Sequence, residues 1–325
     1  MVKISSARIT QLAVTGLPAL LFSLAYVYSP WPTIVGESKF TDFEAYLSNI
    51  DALINDAADD LDGVGLVQII LSEPLWRFIL LSIGSVLDTP ANGLSFVSLL
   101  CIFVYSLFLF SRINIFLASV FLLNPLVIDL VLSQIRSALA MALCLAALMI
   151  MSRLLGLILL IAASLIHTAT FSIVATYFAA KILSKMQKTT GYNNSVVVAW
   201  VLALLAAVLL SYGRETILGA VGDRRAEYDV GAGTVFYVAY WALLTLALSF
   251  TRGRYRYVDE WMNYYSIIML SVPFFMTLFS TNGLRFLALS FPAMLCALFA
   301  RASPIREILI GSLFCYQLLQ YAYWL

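Results

Sequence analysis

Ser164-Leu165-Ile166-His167-Thr168-Ala169-Thr170 lies in the middle of an apolar stretch that covers 154–183, and whether the chain runs straight through it decides the architecture. A single helix over 154–183 would be about 45 Å long, too long for a bilayer core of about 30 Å. The polar heptapeptide therefore reads as a break. Two short helices, each about 20 Å long, meet at His167. Their apex is expected below the membrane surface, in a cavity, because irregular backbone at that depth is tolerated only where protein or water surrounds it.

Composition makes a bilayer the natural solvent for the rest of the chain. Of 325 residues, 62% are apolar and only 11% charged, with a mean hydropathy of +0.94; a soluble domain carries about 25% charged residues. Apolar runs fall at 9–28, 94–111, 114–132, 136–152, 154–166, 168–183, 195–212, 233–250, 263–280, 284–300 and 305–324, which predicts about eleven membrane-spanning helices, some short or broken. The expected fold is an all-α polytopic membrane protein, a single integral membrane domain over 1–325. Lys3 and Arg8 precede the first run and no A-x-A site follows it, so it reads as an uncleaved span. Cys101, Cys144, Cys296 and Cys315 all lie in apolar runs and read as small core residues, with no disulfide framework or zinc site expected. The small residues Ser137, Ala138, Ala140, Ala142, Ala146 and Ala147 favour close helix packing. A net charge of +1 says nothing about nucleic acid, and no nucleic-acid partner is expected.

Basic residues set the expected orientation. With the N-terminus in the cytoplasm, 12 of the 19 Lys and Arg fall inside, among them Arg112, Arg153, Lys181, Lys185, Lys188 and Arg301, and 15 of the 18 acidic residues fall outside. Two outer segments result. Residues 29–93 hold the acidic run Asp51 to Asp62, which reads as a solvated face, and then 74–87, expected as an amphipathic interfacial helix with Pro74 in its first turn. A true span at 66–87 is the competing reading, and it would invert the spans that follow. The second outer segment is 213–232, containing GDRRAEYDVGAG, where Arg224, Arg225 and Tyr228 are candidate substrate contacts.

Charged groups in such a chain need a reason. Arg136 opens a helix, where a cation opposes the macrodipole unless an anion is to arrive. Arg285 also begins a span, and Arg77 lies near the start of 74–87. Several cations at one face suggest a phosphate-bearing ligand. In the structural alternative, Arg136 pairs with Asp129 or Glu73 and Arg77 snorkels to headgroups. Glu73 and Asp42 are the candidate bases, each with a helix cap as the bland alternative. Glu73 sits at the edge of an apolar run, where burial is expected to raise its pKa toward a useful value. His167, the single histidine, stands at the helix break as a third candidate. No metal is expected, since no second histidine or cysteine cluster accompanies it. No G-x-S-x-G, phosphate-binding glycine loop or metal-spaced D-x-D pair is present, which argues against a cytosolic nucleotide-sugar enzyme.

Five short motifs follow one another along the chain: Asp42-x-x-x-Tyr46, Glu73-Pro74-x-Trp76, Ile135-Arg136-x-x-Leu139-Ala140, Ile166-His167-Thr168-Ala169, and Leu284-Arg285-Phe286. In this order they resemble the EpsG-like branch of the Wzy-type polysaccharide polymerases, over nearly the whole chain. The usual Arg-Gln pair is Arg136-Ser137 here, with Gln134 available in its place, and the loop 30–72 is longer and more acidic than the pattern. The resemblance implies a metal- and cofactor-independent glycosyltransferase in a bacterial cytoplasmic membrane, with its site at the outer face. Its donor and acceptor would be oligosaccharide repeat units on undecaprenyl pyrophosphate. Its products would be O-antigen, capsule or exopolysaccharide, and a chain-length regulator would be a further partner beside the membrane lipids. Arg136, Arg285, Gln134, Arg224, Arg225, Tyr228 and Tyr46 would contact substrate, and Glu73, Asp42 or His167 would serve catalysis. A lipid-linked oligosaccharide flippase and a polysaccharide ligase are the alternatives.

Overall fold

The computed structural model describes residues 6–36, 40–55, 72–150, 152–220, 235–251, 260–279, 281, 283–302 and 304–324. Among them all regular structure is helical. The helices are α1 (Ser6–Val27), α2 (Trp31–Val35), α3 (Thr41–Asn55), α4 (Pro74–Val86), α5 (Pro90–Phe110), α6 (Ile115–Leu122), α7 (Pro125–Leu132), α8 (Ile135–Met149), α9 (Arg153–Ile166), α10 (Thr170–Thr190), α11 (Tyr192–Ala220), α12 (Val235–Phe250), α13 (Trp261–Leu278), α14 (Leu284–Phe299) and α15 (Ile305–Trp324). The chain groups into two compact units, one of 1–171 with 316–325, the other of 172–315.

The break at His167 is present. Helix α9 ends at Ile166, His167 is extended (φ −150°, ψ 124°), and α10 begins at Thr170. The corner is closed by His167 N–H to the Ala163 carbonyl (3.0 Å), Thr170 N–H to the His167 carbonyl (3.0 Å) and Thr170 Oγ1 to the Ala163 carbonyl (2.9 Å). These bonds satisfy carbonyls that a helix end leaves open.

In the first unit α5 is the centre. It packs on α1 and α8, α8 packs on α9, and α4 bridges α3 and α9. Ser137, Ala138, Ala140 and Ala142 of α8 are buried, and their small side chains let the neighbouring backbones approach. Helix α4 starts with Pro74 at N1, as the sequence predicts. It turns Trp76, Leu80 and Ile83 inward, a one-face spacing, and leaves Phe78 and Val86 exposed. Gly93 makes the α4–α5 corner possible: a Cβ there would lie 2.6 Å from Ile83 Cγ2.

The second unit is organised around α13, which packs on α11, α12 and α14 and is buried continuously from Trp261 to Pro273. Arg301 follows α14 and is buried. Its guanidinium donates to the carbonyls of Ala297 (3.1 Å) and Leu248 (2.9 Å), to Thr251 Oγ1 (3.1 Å) and to Asn263 Oδ1. It thereby ties the C-terminal ends of α12 and α14, where the macrodipoles favour a cation.

The expectation of about eleven spans is where the structure differs most. The described helices follow the apolar runs, but two are long and apolar enough to cross a membrane, Pro90–Phe110 and Tyr192–Gly213. A third span arises if α6 and α7 count as one; they bend by 71° at Asn124-Pro125, so the run 114–132 is not a straight helix. Asn124 caps α7 through Leu126 N–H (3.0 Å) and donates to Gln320 Oε1 (2.7 Å). Several others, such as α8 with 15 residues and α9 with 14, are about 21–23 Å long, shorter than a bilayer core. Of the cysteines, Cys315 is exposed rather than a core residue.

Candidate functional site

Residues far apart in sequence meet at one corner of the first unit. Glu73 is 3% exposed. Its Oε2 accepts from Arg136 Nη1 at 2.5 Å. Its Oε1 meets His167 Nδ1 at 2.7 Å and accepts from Thr168 N–H at 3.0 Å and Thr168 Oγ1 at 3.2 Å.

Each partner is delivered by a helix end. Glu73 precedes Pro74, whose ring disfavours the α region in the residue before it. Glu73 takes the left-handed region instead (φ 58°, ψ 56°), the one positive φ outside glycine among the described residues. Such a conformation persists when surrounding contacts over-determine it, and the hydrogen bonds on the carboxylate do so here. Arg136 stands in the first turn of α8, and its Nε is buried with no hydrogen-bond partner among the described residues. His167 caps α9, and Thr168 opens the turn into α10.

The electrostatics run opposite to the sequence expectation for Glu73. Burial does push its carboxyl up. The His167 hydrogen bond, the Arg136 guanidinium and the Thr168 N–H together outweigh burial and hold the pKa at about 2, below the ordinary 4.5. Glu73 is therefore a fixed anion at neutral pH and a weak base. Because its folded pKa is the lower one, its contribution to stability is complete above pH 4.5 and disappears as pH falls toward about 2. Thermal unfolding of the full chain in lipid nanodiscs should show a falling Tm over that window. The Glu73→Gln variant should lack that component.

The structure answers the two pairing alternatives for Arg136: its partner is Glu73. Asp129 instead accepts from Gln134 Nε2 at 2.6 Å, which leaves Gln134 at the N-cap of α8 with its amide turned toward α7. Tyr46 is buried and meets the Trp76 ring edge-on, with centroids 5.1 Å apart, so α3 is packed onto the helix that carries Glu73. Asp42 lies in the first turn of α3, where a carboxylate suits the macrodipole. Arg77 is exposed on α4. Arg285 is exposed in the first turn of α14, in the second unit. Arg224, Arg225 and Tyr228 lie outside the described residues. Thr168, a double donor to Glu73, was not singled out by spacing; its signal was a hydroxyl directly after the lone histidine. Among the described residues, no group of three or more His, Cys, Asp and Glu is gathered as a metal would need.

No family model, curated protein or solved structure matches the chain. The corner must therefore be read from its own chemistry. A buried carboxylate bonded to an imidazole Nδ1 fixes the ring's orientation and, in the neutral ring, puts the basic lone pair on Nε2. An arginine with unused donor capacity beside it can receive an anion. Together these groups can take a proton from one reactant and stabilise negative charge on another.

Proposed function

We propose that the chain is a membrane glycosyltransferase that polymerises oligosaccharide repeat units carried on undecaprenyl pyrophosphate. The observation that carries this reading is the meeting of Glu73, Arg136 and His167 at one buried corner. These residues belong to three of the five ordered motifs, and nothing in helix packing alone requires them to share a site.

The reaction transfers the growing glycan from its lipid pyrophosphate to a hydroxyl of the next lipid-linked unit. The hydroxyl oxygen attacks the anomeric carbon, the bond from that carbon to the pyrophosphate oxygen breaks, and undecaprenyl pyrophosphate leaves. Arg136 holds the departing diphosphate, where negative charge grows as the bond breaks. His167 takes the hydroxyl proton on Nε2, and Glu73 stabilises the imidazolium through Nδ1. This assigns Glu73 a positioning role in place of the base role expected from sequence, because a carboxyl held at about 2 accepts a proton poorly at neutral pH.

The topology proposed with this function has about eleven membrane-embedded helices, the N-terminus inside, and the corner at the outer face of a bacterial inner membrane. The short helix α8, buried along much of its length, would pack within the protein, and α9 would turn Leu154, Leu157, Ile158 and Ile161 to lipid. Cysteine labelling at Asn193 and Gly231 checks the orientation: label from outside should reach 231 and spare 193. Function is tested by reconstitution with a purified lipid-linked repeat unit. A ladder of products is expected. One transfer only would mean a ligase, and translocation without bond formation a flippase.

A further inference from the structure

We infer that Glu73 couples the two halves of the site: it is the internal anion that holds Arg136 until a diphosphate takes the guanidinium, and only then does its charge act more fully on His167. The inference rests on the polymerase reading for the identity of the diphosphate. It concerns the order of events, donor first and proton removal second.

The two carboxylate oxygens of Glu73 are used differently. Oε1 is bound into the 167–168 segment by His167 Nδ1, Thr168 N–H and Thr168 Oγ1, at 2.7, 3.0 and 3.2 Å. Oε2 carries Arg136. Losing Arg136 therefore leaves the bonds to Oε1 in place, and the carboxylate keeps its position against the imidazole. The guanidinium has somewhere to go. Its side chain is 23% exposed while that of Glu73 is 4% exposed, so solvent and ligand reach the arginine and not the carboxylate. Its Nε is buried with no hydrogen bond to lose among the described residues, so turning the guanidinium breaks no bond at that nitrogen, and a diphosphate with several charged oxygens can take a planar fork of donors that one carboxylate oxygen cannot fill.

Charge then passes along the chain of contacts. While Arg136 is bound, Glu73 divides its field between a guanidinium and an imidazole. When the guanidinium turns to a diphosphate, the carboxylate loses its bonded cation, and the imidazole binds a proton more strongly. The base is thus strengthened when a donor is seated, which disfavours proton removal with no donor present. The charged groups on the elements around the corner are Asp42, Glu44 and Asp51 on α3, Arg77 on α4, Asp129 on α7, Arg136 on α8, Arg153 at the opposite end of α9, and Lys181, Lys185 and Lys188 toward the far end of α10, while α5 carries none. Arg136 is the cation bonded to Glu73.

His167 is the only histidine in the chain, so it is its own probe. The full chain, labelled with 15N-histidine and held in lipid nanodiscs, is titrated by NMR with and without inorganic pyrophosphate. Pyrophosphate should raise the midpoint of His167 by about one pH unit, a tenfold gain in proton affinity. In Arg136→Gln the midpoint should already be raised without ligand, and pyrophosphate should add nothing. In Glu73→Gln the pyrophosphate-dependent rise should vanish; a rise of wild-type size there would mean that the ligand acts on His167 directly, and the coupling would be wrong. Should Glu73→Gln not fold, the Arg136→Gln midpoint decides alone, and a value equal to or below wild type overturns the inference. Calorimetric binding of pyrophosphate reports separately on the seat. No binding sinks the polymerase reading, whereas binding with an unmoved His167 midpoint sinks the coupling alone.

Discussion

Glycan transfer by the His167→Gln variant should fall by about 10²–10⁴, the usual contribution of a general base, while the protein inserts normally and still binds pyrophosphate within a few-fold of wild type. The reasoning starts from the bond between His167 Nδ1 and Glu73 Oε1. A glutamine can keep a hydrogen bond to Glu73 through its amide, and it carries no basic nitrogen. The corner between α9 and α10 is closed mainly by the backbone and by Thr170 Oγ1, so the substitution should not open it. The measurement is single-turnover polymerisation of a purified lipid-linked repeat unit, set beside pyrophosphate calorimetry on the same preparation. Turnover within a few-fold of wild type would remove His167 from the chemistry and make Asp42 the next base to test. A loss of both turnover and binding would mean that the ring chiefly builds the site.

Local features of the fold were legible where local physics decides them. The polar interruption at His167 and the proline at N1 of α4 are both written within a few residues, and both are present in the structure. The bend at Asn124-Pro125 was equally readable, since an asparagine cap before a proline is a helix-start signal, but the apolar run 114–132 masked it. The number of spans was not legible, because hydropathy marks an apolar run without fixing where its helix begins and ends, and a 14-residue helix such as α9 carries the same signal as a full-length span. At the corner, three residues named from sequence, Glu73, Arg136 and His167, come together, but the Glu73 carboxyl shifts in the direction opposite to the one expected. Glu73 beside an apolar helix looks like a carboxyl with a raised pKa. Its partners lie 63, 94 and 95 residues away, and tertiary packing alone places them close enough to reverse the direction of the shift. The left-handed backbone of Glu73 was hidden for the same reason, since nothing local demands it of a glutamate.

The Arg136→Lys variant should lose at least about 10²-fold in transfer rate, the scale of removing one donor aimed at developing negative charge, and should keep its fold. Charge is conserved by the change, so Glu73 retains a cation nearby and no buried carboxylate is orphaned. Arg136→Leu would be far less informative, because, unlike a glutamine, it leaves Glu73 Oε2 without even a hydrogen-bond donor, and breaking a buried pair from one side in that way costs about 3–5 kcal/mol and would mix folding with function. What lysine cannot do is serve two anions at once. Its ammonium is a compact point charge on a flexible stem, without the planar fork that lets a guanidinium stay near Glu73 while presenting further N–H groups to a diphosphate. The ammonium should therefore settle on the buried Glu73 carboxylate and bind pyrophosphate poorly. The readouts are the length distribution of the product ladder, the single-turnover rate and the pyrophosphate affinity. A variant that assembles chains of normal length at near wild-type rate would reduce Arg136 to a counter-ion for Glu73, and the diphosphate seat would have to be sought among the exposed arginines, Arg77 and Arg285 first.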